Sequence, residues 1–331
     1  MILKSLIVAA SVLFGTSLAE AQDRRAGAET GQGELEHLSA TSTIGDLLEN
    51  PAFAEYARLL LPWDDRTADP TMPLSDIASL LPYHSNVRPD LFVSSLNRLI
   101  DDVGADHQVF YDFYTEAQKR EAPARENTGL FFFRGRPGAP FAVIAPGGGF
   151  SYVGSVHEGF PHAAALSRLG HNAFVLKYRV GEGGAVATED LAFALSFIFR
   201  YAQGLQVDVE DYSLWGSSAG ARMVASIGSH GTARFGGDQL PKPSTVVMAY
   251  TAHADRSGDE PPTFVVVGER DGISPPAAME RRVSALRASG TDVQFRVFPG
   301  VGHGFGLGTG TSAEGWLEEA VRFWEKFQRL P

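Results

Sequence analysis

The chain has 331 residues, 44% of them hydrophobic and 20% charged, which is the composition of a folded protein with an ample core. Its formal net charge of −11 makes nucleic acid and anionic membranes poor partners, because both require a basic surface. The sequence has no cysteine, which excludes disulfides, cysteine-ligated metals, a cysteine nucleophile and a lipoprotein anchor.

The first residues have the pattern of a secretory signal peptide. A short stretch with one positive charge precedes a mostly apolar segment over residues 6–13, and Ala19-Glu20-Ala21 is a small-x-small cleavage signal. We expect residues 1–21 to be removed by cleavage between Ala21 and Gln22, and residues 22–34 to be a disordered lead-in. The mature protein is then expected to be secreted or periplasmic, without a membrane span.

Residues 35–104 are predicted to form a helical N-terminal extension. Apolar residues over 92–103 follow helical spacing, and Pro89-Asp90 suits the start of that helix. Several prolines break the part before it into short pieces. We expect the extension to pack against the core, and the alternative is that it covers the active site or contributes to the substrate pocket. His84, a lone histidine in a loop of this extension, is interpreted as a surface residue.

Strands alternate with helices over residues 105–331, which predicts an α/β catalytic domain with a mostly parallel central sheet and helices on both faces. Active sites of such sheets lie at the carboxyl ends of the strands. The predicted strands cover residues 108–114, 130–134, 141–145, 172–180, the stretch leading into Ser218, 245–250, 263–267 and 293–298. The predicted helices cover residues 157–169, 190–201, the stretch following Ser218, 277–288 and 314–327.

Ser218 is the candidate nucleophile, at the centre of a Gly-x-Ser-x-Gly pattern. Apolar, strand-like residues precede the pattern, and small and apolar residues at helical spacing follow it. This is the strand, turn and helix that raise a serine hydroxyl above a sheet. Gly216 and Gly220 omit the Cβ atoms that would collide in so sharp a turn. The pattern alone is a weak signal, and its flanking elements strengthen it.

Three glycines follow the predicted strand over 141–145. The backbone N–H groups of Gly148 and Gly149, together with that of Ala219, are the candidate oxyanion hole. The alternative is a flexible or phosphate-binding loop. A P-loop requires Gly-Lys-Ser/Thr and a dinucleotide site requires Gly-x-Gly-x-x-Gly, and the loop has neither pattern.

Asp271 and His303 are the candidate partners of the serine, each just past the end of a predicted strand. A buried aspartate there orients a histidine and stabilises its imidazolium, and an imidazole accepts and returns a proton near neutral pH. Glu269 is the competing carboxylate, and Asp255 and Asp259 are weaker candidates. The chain order Ser, Asp, His agrees with this assignment.

With these motifs, residues 105–331 resemble an α/β hydrolase of the bacterial esterase/lipase group with a His-Gly-Gly-Gly-type oxyanion loop, in the acetyl-esterase and feruloyl-esterase-like branch. The resemblance implies Ser218 as nucleophile, His303 as general base and Asp271 as its orienter. In this chain Pro146 replaces the histidine that opens the loop in many relatives. The matching stretches are residues 146–150, 176–179 and 216–220, the Asp271 turn and residues 302–304.

The function predicted from this resemblance is serine carboxylic-ester hydrolysis through an acyl-enzyme, on short-chain or aromatic acyl esters, including those of carbohydrates. The alternatives are a serine peptidase or amidase of the same fold, and a non-catalytic binding module. No cofactor and no metal are predicted, since spacings such as His-Glu-x-x-His do not occur. The predicted partner is a small-molecule or saccharide ester, and the oligomeric state is left open.

Overall fold

Eight strands form one sheet at the centre of the computed structural model, which describes residues 35–329. The strands are β1 (Phe110–Tyr111), β2 (Gly129–Phe133), β3 (Pro140–Ala145), β4 (Asn172–Lys177), β5 (Asp208–Ser217), β6 (Thr245–Ala249), β7 (Thr263–Gly268) and β8 (Val293–Phe298). Their order is β1-β2-β4-β3-β5-β6-β7-β8. Only the β1/β2 and β2/β4 pairs within this sheet are antiparallel, so the prediction of a mostly parallel sheet is confirmed.

Helices follow most of these strands and cover the sheet. The α-helices are α1 (Ile44–Glu49), α2 (Pro89–Gly104), α3 (Glu116–Glu121), α4 (Phe160–Arg168), α5 (Gly184–Leu205), α6 (Ala219–His230), α7 (Pro276–Ala288) and α8 (Trp316–Glu325). Short 3₁₀ helices span Pro51–Phe53, Ala57–Leu60, Leu74–Leu80, Pro123–Asn127 and Thr232–Phe235, and a π-helix spans Ser155–Gly159. Among the described residues, no helix has the length and apolar character that a bilayer span requires.

The central strands are fully buried, as expected of a parallel sheet with helices on both faces. All residues of β4, β6 and β7 are buried, and the same is true of the second half of β5. Parallel strands place their carboxyl ends on one edge of the sheet. The loops that carry Gly148, Ser218, Asp271 and His303 follow β3, β5, β7 and β8, and therefore share that edge.

Several element boundaries differ from the prediction: the strand predicted over 108–114 spans only Phe110–Tyr111, for example. Two of the differences have identifiable reasons. The strand predicted over 172–180 ends at Lys177, because the backbone N–H of Arg179 leaves the ladder and donates to the buried carboxylate of Asp190 at 2.7 Å. The helix predicted over 190–201 runs from Gly184 to Leu205. Its first turn is made of small residues, which give no amphipathic signal.

The N-terminal extension packs against the core, and residues 35–329 belong to one compact unit. Helix α2 buries the apolar stripe that predicted it, including Phe92, Leu96 and Leu99. Phe92 stacks on Phe160 of α4 with ring centroids 6.2 Å apart. Between α1 and α2 the helical segments are short 3₁₀ turns, and those over Pro51–Phe53 and Leu74–Leu80 begin at or just after prolines, which lack the N–H that a longer helix would use.

A buried ion pair joins the extension to the sheet. Lys177, the last residue of β4, is fully buried, and its Nζ lies 2.9 Å from Oδ1 of Asp64. The same Nζ donates to the carbonyl oxygens of Leu61 at 2.9 Å and Pro62 at 3.3 Å. Burial lowers the pKa of Lys177, and the Asp64 carboxylate opposes that shift.

Replacing Lys177 by methionine is expected to lower the free energy of unfolding by roughly 3–5 kcal/mol, because Asp64 keeps an uncompensated buried charge. The double variant Lys177→Met/Asp64→Leu should recover most of that loss. Arg200→Met, which breaks the exposed pair to Asp238, should change the value by less than about 0.5 kcal/mol. Urea denaturation measures the free energy of unfolding of each variant. Equal losses in Lys177→Met and Arg200→Met would contradict the account.

Candidate active site

Ser218 lies at the sharp turn between β5 and α6. Its backbone has φ 50° and ψ −112°, a conformation that non-glycine residues rarely adopt and that is often found at functional sites. The turn is held by the Ser218 N–H, which donates to the carbonyl of Ala249 at 2.9 Å. A Cβ at Gly220 would lie 1.9 Å from the carbonyl oxygen of Ala145, so the turn requires glycine there.

The structure brings Ser218, His303 and Asp271 into one hydrogen-bonded chain. Nε2 of His303 lies 2.9 Å from the Ser218 hydroxyl oxygen, and its Nδ1 lies 2.8 Å from Oδ2 of Asp271. The other Asp271 oxygen accepts the backbone N–H groups of Ile273 and Ser274 at 2.9 and 2.7 Å. The Asp271 side chain is fully buried, which suits a carboxylate that orients an imidazole.

The competing carboxylates lie elsewhere. Glu269 is exposed and accepts the backbone N–H of Gly300 at 2.8 Å. Asp255 pairs with His230 at 2.7 Å, and Asp259 pairs with Lys242 at the same distance. The nearest carboxylate to His303 in the hydrogen-bond network is therefore Asp271.

The glycine loop after β3 lies directly against the serine. A Cβ at Gly147 would be 2.9 Å from Cβ of Ser218. Gly148 and Gly149 have φ of 130° and 64°, and within residues 35–329 neither N–H donates to another group. Ala219 is the first residue of α6, so its N–H has no acceptor within the helix. These three donors are the ones that the sequence predicts for the oxyanion hole.

Glu158, which the sequence reasoning missed, is a fully buried carboxylate that contacts this glycine loop. It accepts the Gly147 N–H at 2.6 Å, the Tyr250 hydroxyl at 2.7 Å and Nε2 of His84 at 3.1 Å. In the sequence, Glu158 is a lone carboxylate among apolar residues at the start of a predicted helix. That pattern is the signal that could have identified it. His84 gave no such signal, because its partners lie far along the chain.

Electrostatics keep Glu158 ionised. Burial by itself would raise the pKa of the Glu158 carboxyl, but the interaction with His84 and the donated hydrogen bonds outweigh burial and lower it. Burial also lowers the pKa of the neighbouring His157 to about 3, so this imidazole is neutral at pH 7 and its Nε2–H donates to the Gly304 carbonyl at 3.0 Å. Burial raises the pKa of Tyr250 well above its usual value, which keeps its hydroxyl a donor.

Tyr250 connects this network to the histidine. Its ring packs edge-on against the His303 imidazole with centroids 5.0 Å apart, and its backbone has the unusual φ of 39°. The ring and the hydrogen bond to Asp271 together limit the rotation of the imidazole. Among residues 35–329, no group of three His, Asp or Glu side chains is arranged to hold a metal ion. A hydroxyl, an imidazole and free N–H groups that meet in this way are what the predicted nucleophile, base and oxyanion donors require.

Comparison with known proteins finds similarity to hydrolases. The model of the prolyl oligopeptidase family matches residues 237–329, which is the part that carries Asp271 and His303. An acetylxylan esterase from Xylanibacter ruminicola is 24% identical over 208 residues, an alignment that covers 54% of this chain. It covers 43% of that relative, so the chain spans about two fifths of the relative's length.

Solved structures share the fold. An α/β hydrolase from a Medee basin deep-sea metagenome library superposes with a TM-score of 0.54 at 22% identity, over 60% of this chain and 92% of its own. An acetyl ester-xyloside bifunctional hydrolase from Caldicellulosiruptor lactoaceticus gives 0.53 at 20% identity, over 60% and 88%. A carboxylesterase from Lactobacillus plantarum gives 0.53 at 19% identity, over 62% and 94%. The α/β-hydrolase fold that the motifs predict is thereby confirmed.

Proposed function

We propose that the protein is a serine carboxylic-ester hydrolase that works through an acyl-enzyme. The observation that carries the proposal is the continuous hydrogen-bonded chain from Ser218 through His303 to Asp271, on a strained turn at the carboxyl edge of the sheet. Each of these three side chains has a hydrogen-bond partner that fixes it before a substrate binds, as nucleophilic catalysis requires.

In the first half of the reaction, the Ser218 oxygen attacks the ester carbonyl carbon while Nε2 of His303 takes its proton. The carbonyl oxygen becomes an oxyanion that the N–H groups of Gly148, Gly149 and Ala219 bind. The C–O bond to the alcohol then breaks, and His303 returns the proton to the leaving oxygen. In the second half, His303 takes a proton from water, which attacks the carbonyl carbon of the acyl-enzyme. The bond between this carbon and the Ser218 oxygen then breaks, His303 returns the proton to that oxygen, and the acid leaves.

The proposed substrates are short-chain or aromatic acyl esters, including esters of carbohydrates. Two of the similar proteins are named for acetylated xylan or acetyl ester-xyloside substrates. Next to the glycine loop, Tyr83 is 45% exposed and stacks on Tyr152 with ring centroids 5.7 Å apart. An exposed aromatic ring beside the glycine loop suits the stacking of a sugar or an aromatic acid.

A peptidase is the second candidate, because the family match over residues 237–329 is to the prolyl oligopeptidase family. The same serine, histidine and oxyanion donors cleave amides as well as esters. The geometry of the catalytic chain is therefore common to both candidates, and the choice depends on the leaving group.

A panel of matched substrates tests the choice. We expect p-nitrophenyl acetate and acetylated xylo-oligosaccharides to be hydrolysed with kcat/KM at least ~10³-fold higher than that for acetyl- and prolyl-p-nitroanilides, because nothing in the site favours the poorer amine leaving group. Faster turnover of the anilides than of the esters would favour the peptidase. No turnover of either class would contradict both candidates.

A further inference from the structure

Tyr83, His84 and Ser85 form a loop of the N-terminal extension, here the 83–85 loop, that reaches the catalytic centre. His84 contributes a side chain that is only 2% exposed, so its interpretation as a surface residue is wrong. Its Nδ1 lies 2.9 Å from the Tyr152 hydroxyl, and its Nε2 lies 3.1 Å from Oε1 of Glu158. Both partners belong to the segment that follows the glycine loop.

The neighbouring Ser85 holds the loop of the catalytic base. Its hydroxyl donates to the carbonyl of His303 at 2.7 Å, and its N–H donates to the carbonyl of Gly304 at 2.9 Å. These are two consecutive peptide carbonyls, so the two peptide planes that follow His303 are fixed. Ser85 and His303 are 218 residues apart in the chain, and the contact therefore depends on the docking of the whole extension.

The His84 contact leads to the serine through two short steps. Glu158 accepts the Gly147 N–H at 2.6 Å, and the Gly147 carbonyl accepts the Gly154 N–H at 2.8 Å. Both peptide groups of Gly147 are therefore held, and Gly147 is the residue that packs against Ser218. The candidate oxyanion donors Gly148 and Gly149 follow it immediately, so their direction depends on how Gly147 is held.

The groups around Glu158 determine what removal of His84 would do. His84, His157 and His162 interact electrostatically with the carboxylate, as do three tyrosines, Tyr152, Tyr178 and Tyr250, of which Tyr250 donates its hydroxyl to it. His157 and His162 are neutral near pH 7, because burial lowers the pKa of each to about 3 and about 4. Without His84, Glu158 loses a donor that its buried charge needs. The carboxylate must then turn towards another donor or take up a proton, and either change weakens its bond to Gly147.

We propose that His84 and Ser85 are positioning residues of the catalytic centre, which fix the oxyanion loop through Glu158 and the base loop through the carbonyls of His303 and Gly304. The N-terminal extension thereby completes the active site in addition to packing on the core. This inference deepens the proposed ester hydrolysis and rests on it.

His84→Ala in the full chain tests the proposal. We expect kcat for p-nitrophenyl acetate to fall ~100-fold while KM changes less than about threefold, because misplaced oxyanion donors weaken binding of the transition state and not of the ester. The rate of Ser218 labelling by a fluorophosphonate should fall in parallel. The final fraction of labelled protein should match the wild type, which shows that the fold is intact.

Two conservative variants separate the two contacts of His84. His84→Gln places a side-chain N–H near the position of Nε2, which faces Glu158, and should recover at least ~10-fold of the lost kcat. His84→Asn places its N–H near Nδ1, which faces Tyr152, and should recover less. Ser85→Ala leaves the buried pair of His84 and Glu158 intact. It should lower kcat by up to about tenfold, which corresponds to the free-energy contribution of one hydrogen bond.

The matched control is His37→Ala, since His37 is also a histidine of the extension that pairs with a carboxylate, Asp101, but is 54% exposed. Its kcat should equal that of the wild type. The proposal is overturned if His84→Ala keeps kcat within twofold, if His37→Ala loses as much, or if the loss equals the drop in the labelled fraction. A wild-type protein that neither hydrolyses esters nor reacts with the fluorophosphonate would overturn the proposed function as well.

Discussion

Ser218→Ala is expected to lower kcat for p-nitrophenyl acetate by roughly 10⁴- to 10⁶-fold, because the hydroxyl that forms the acyl-enzyme is lost. The remaining turnover should come from the oxyanion donors acting on water. The substitution removes one oxygen from a partly buried position and leaves the turn intact, since the backbone N–H of residue 218 still bonds to Ala249. The thermal midpoint should therefore stay within a few degrees of the wild type.

Stopped assays at high enzyme concentration measure the residual rate, and circular dichroism checks the fold. Ser217→Ala is a matched control, because Ser217 precedes the nucleophile and ends β5. Its kcat should stay within about tenfold of the wild type, since its hydroxyl bonds Tyr250 and is no part of the proposed proton path. Full turnover in Ser218→Ala would remove this residue from the mechanism.

Asp271→Asn should lower kcat by about 10⁴-fold at neutral pH, the loss expected when the histidine is held in the wrong tautomer. The backbone N–H groups of Ile273 and Ser274 both point at one oxygen of Asp271. These two N–H groups orient the asparagine amide, because its oxygen must accept them. The NH₂ group of the asparagine then faces Nδ1 of His303. Nδ1 must then accept a hydrogen bond, which places the imidazole proton on Nε2, where it cannot take the proton of Ser218.

Glu269→Gln is the matched control for this prediction, because Glu269 is the other carboxylate of the same turn and bonds the backbone of Gly300 instead. Its kcat should stay within about twofold of the wild type, as expected for an exposed carboxylate outside the proton path. A large loss in Glu269→Gln together with a small loss in Asp271→Asn would reverse the assignment of the orienting carboxylate.

The parts of the molecule that the sequence predicts well are local in the chain. The turn at Ser218 needs only the strand before it, the helix after it and the two glycines at its sides. The alternation of strands and helices predicts the parallel sheet, and the carboxyl ends of its strands bring Asp271 and His303 to the serine. The catalytic roles of these residues remain predictions until the variants above are measured.

The parts that were missed depend on contacts between distant segments. His84 is buried because Glu158 and Tyr152 surround it, and no neighbour in the sequence indicates either partner. Glu158 is tolerated in the core because three donors converge on it from three separate segments. For the N-terminal extension, packing on the core and contact with the active site were expected as alternatives. The structure shows both, because α2 packs on the core and the 83–85 loop contacts the site. The signal-peptide and lead-in predictions, over residues 1–34, lie outside the described residues.

The most direct test of the account is to find which residue a fluorophosphonate modifies. The account predicts one covalent adduct per chain in the wild type, located by peptide mapping on Ser218, and no adduct in Ser218→Ala. It also predicts that labelling slows by several orders of magnitude in His303→Ala, because no base is left within reach of the hydroxyl. An adduct on another residue, or labelling of Ser218 at an unchanged rate without His303, would contradict the shared proton path on which the proposed function depends.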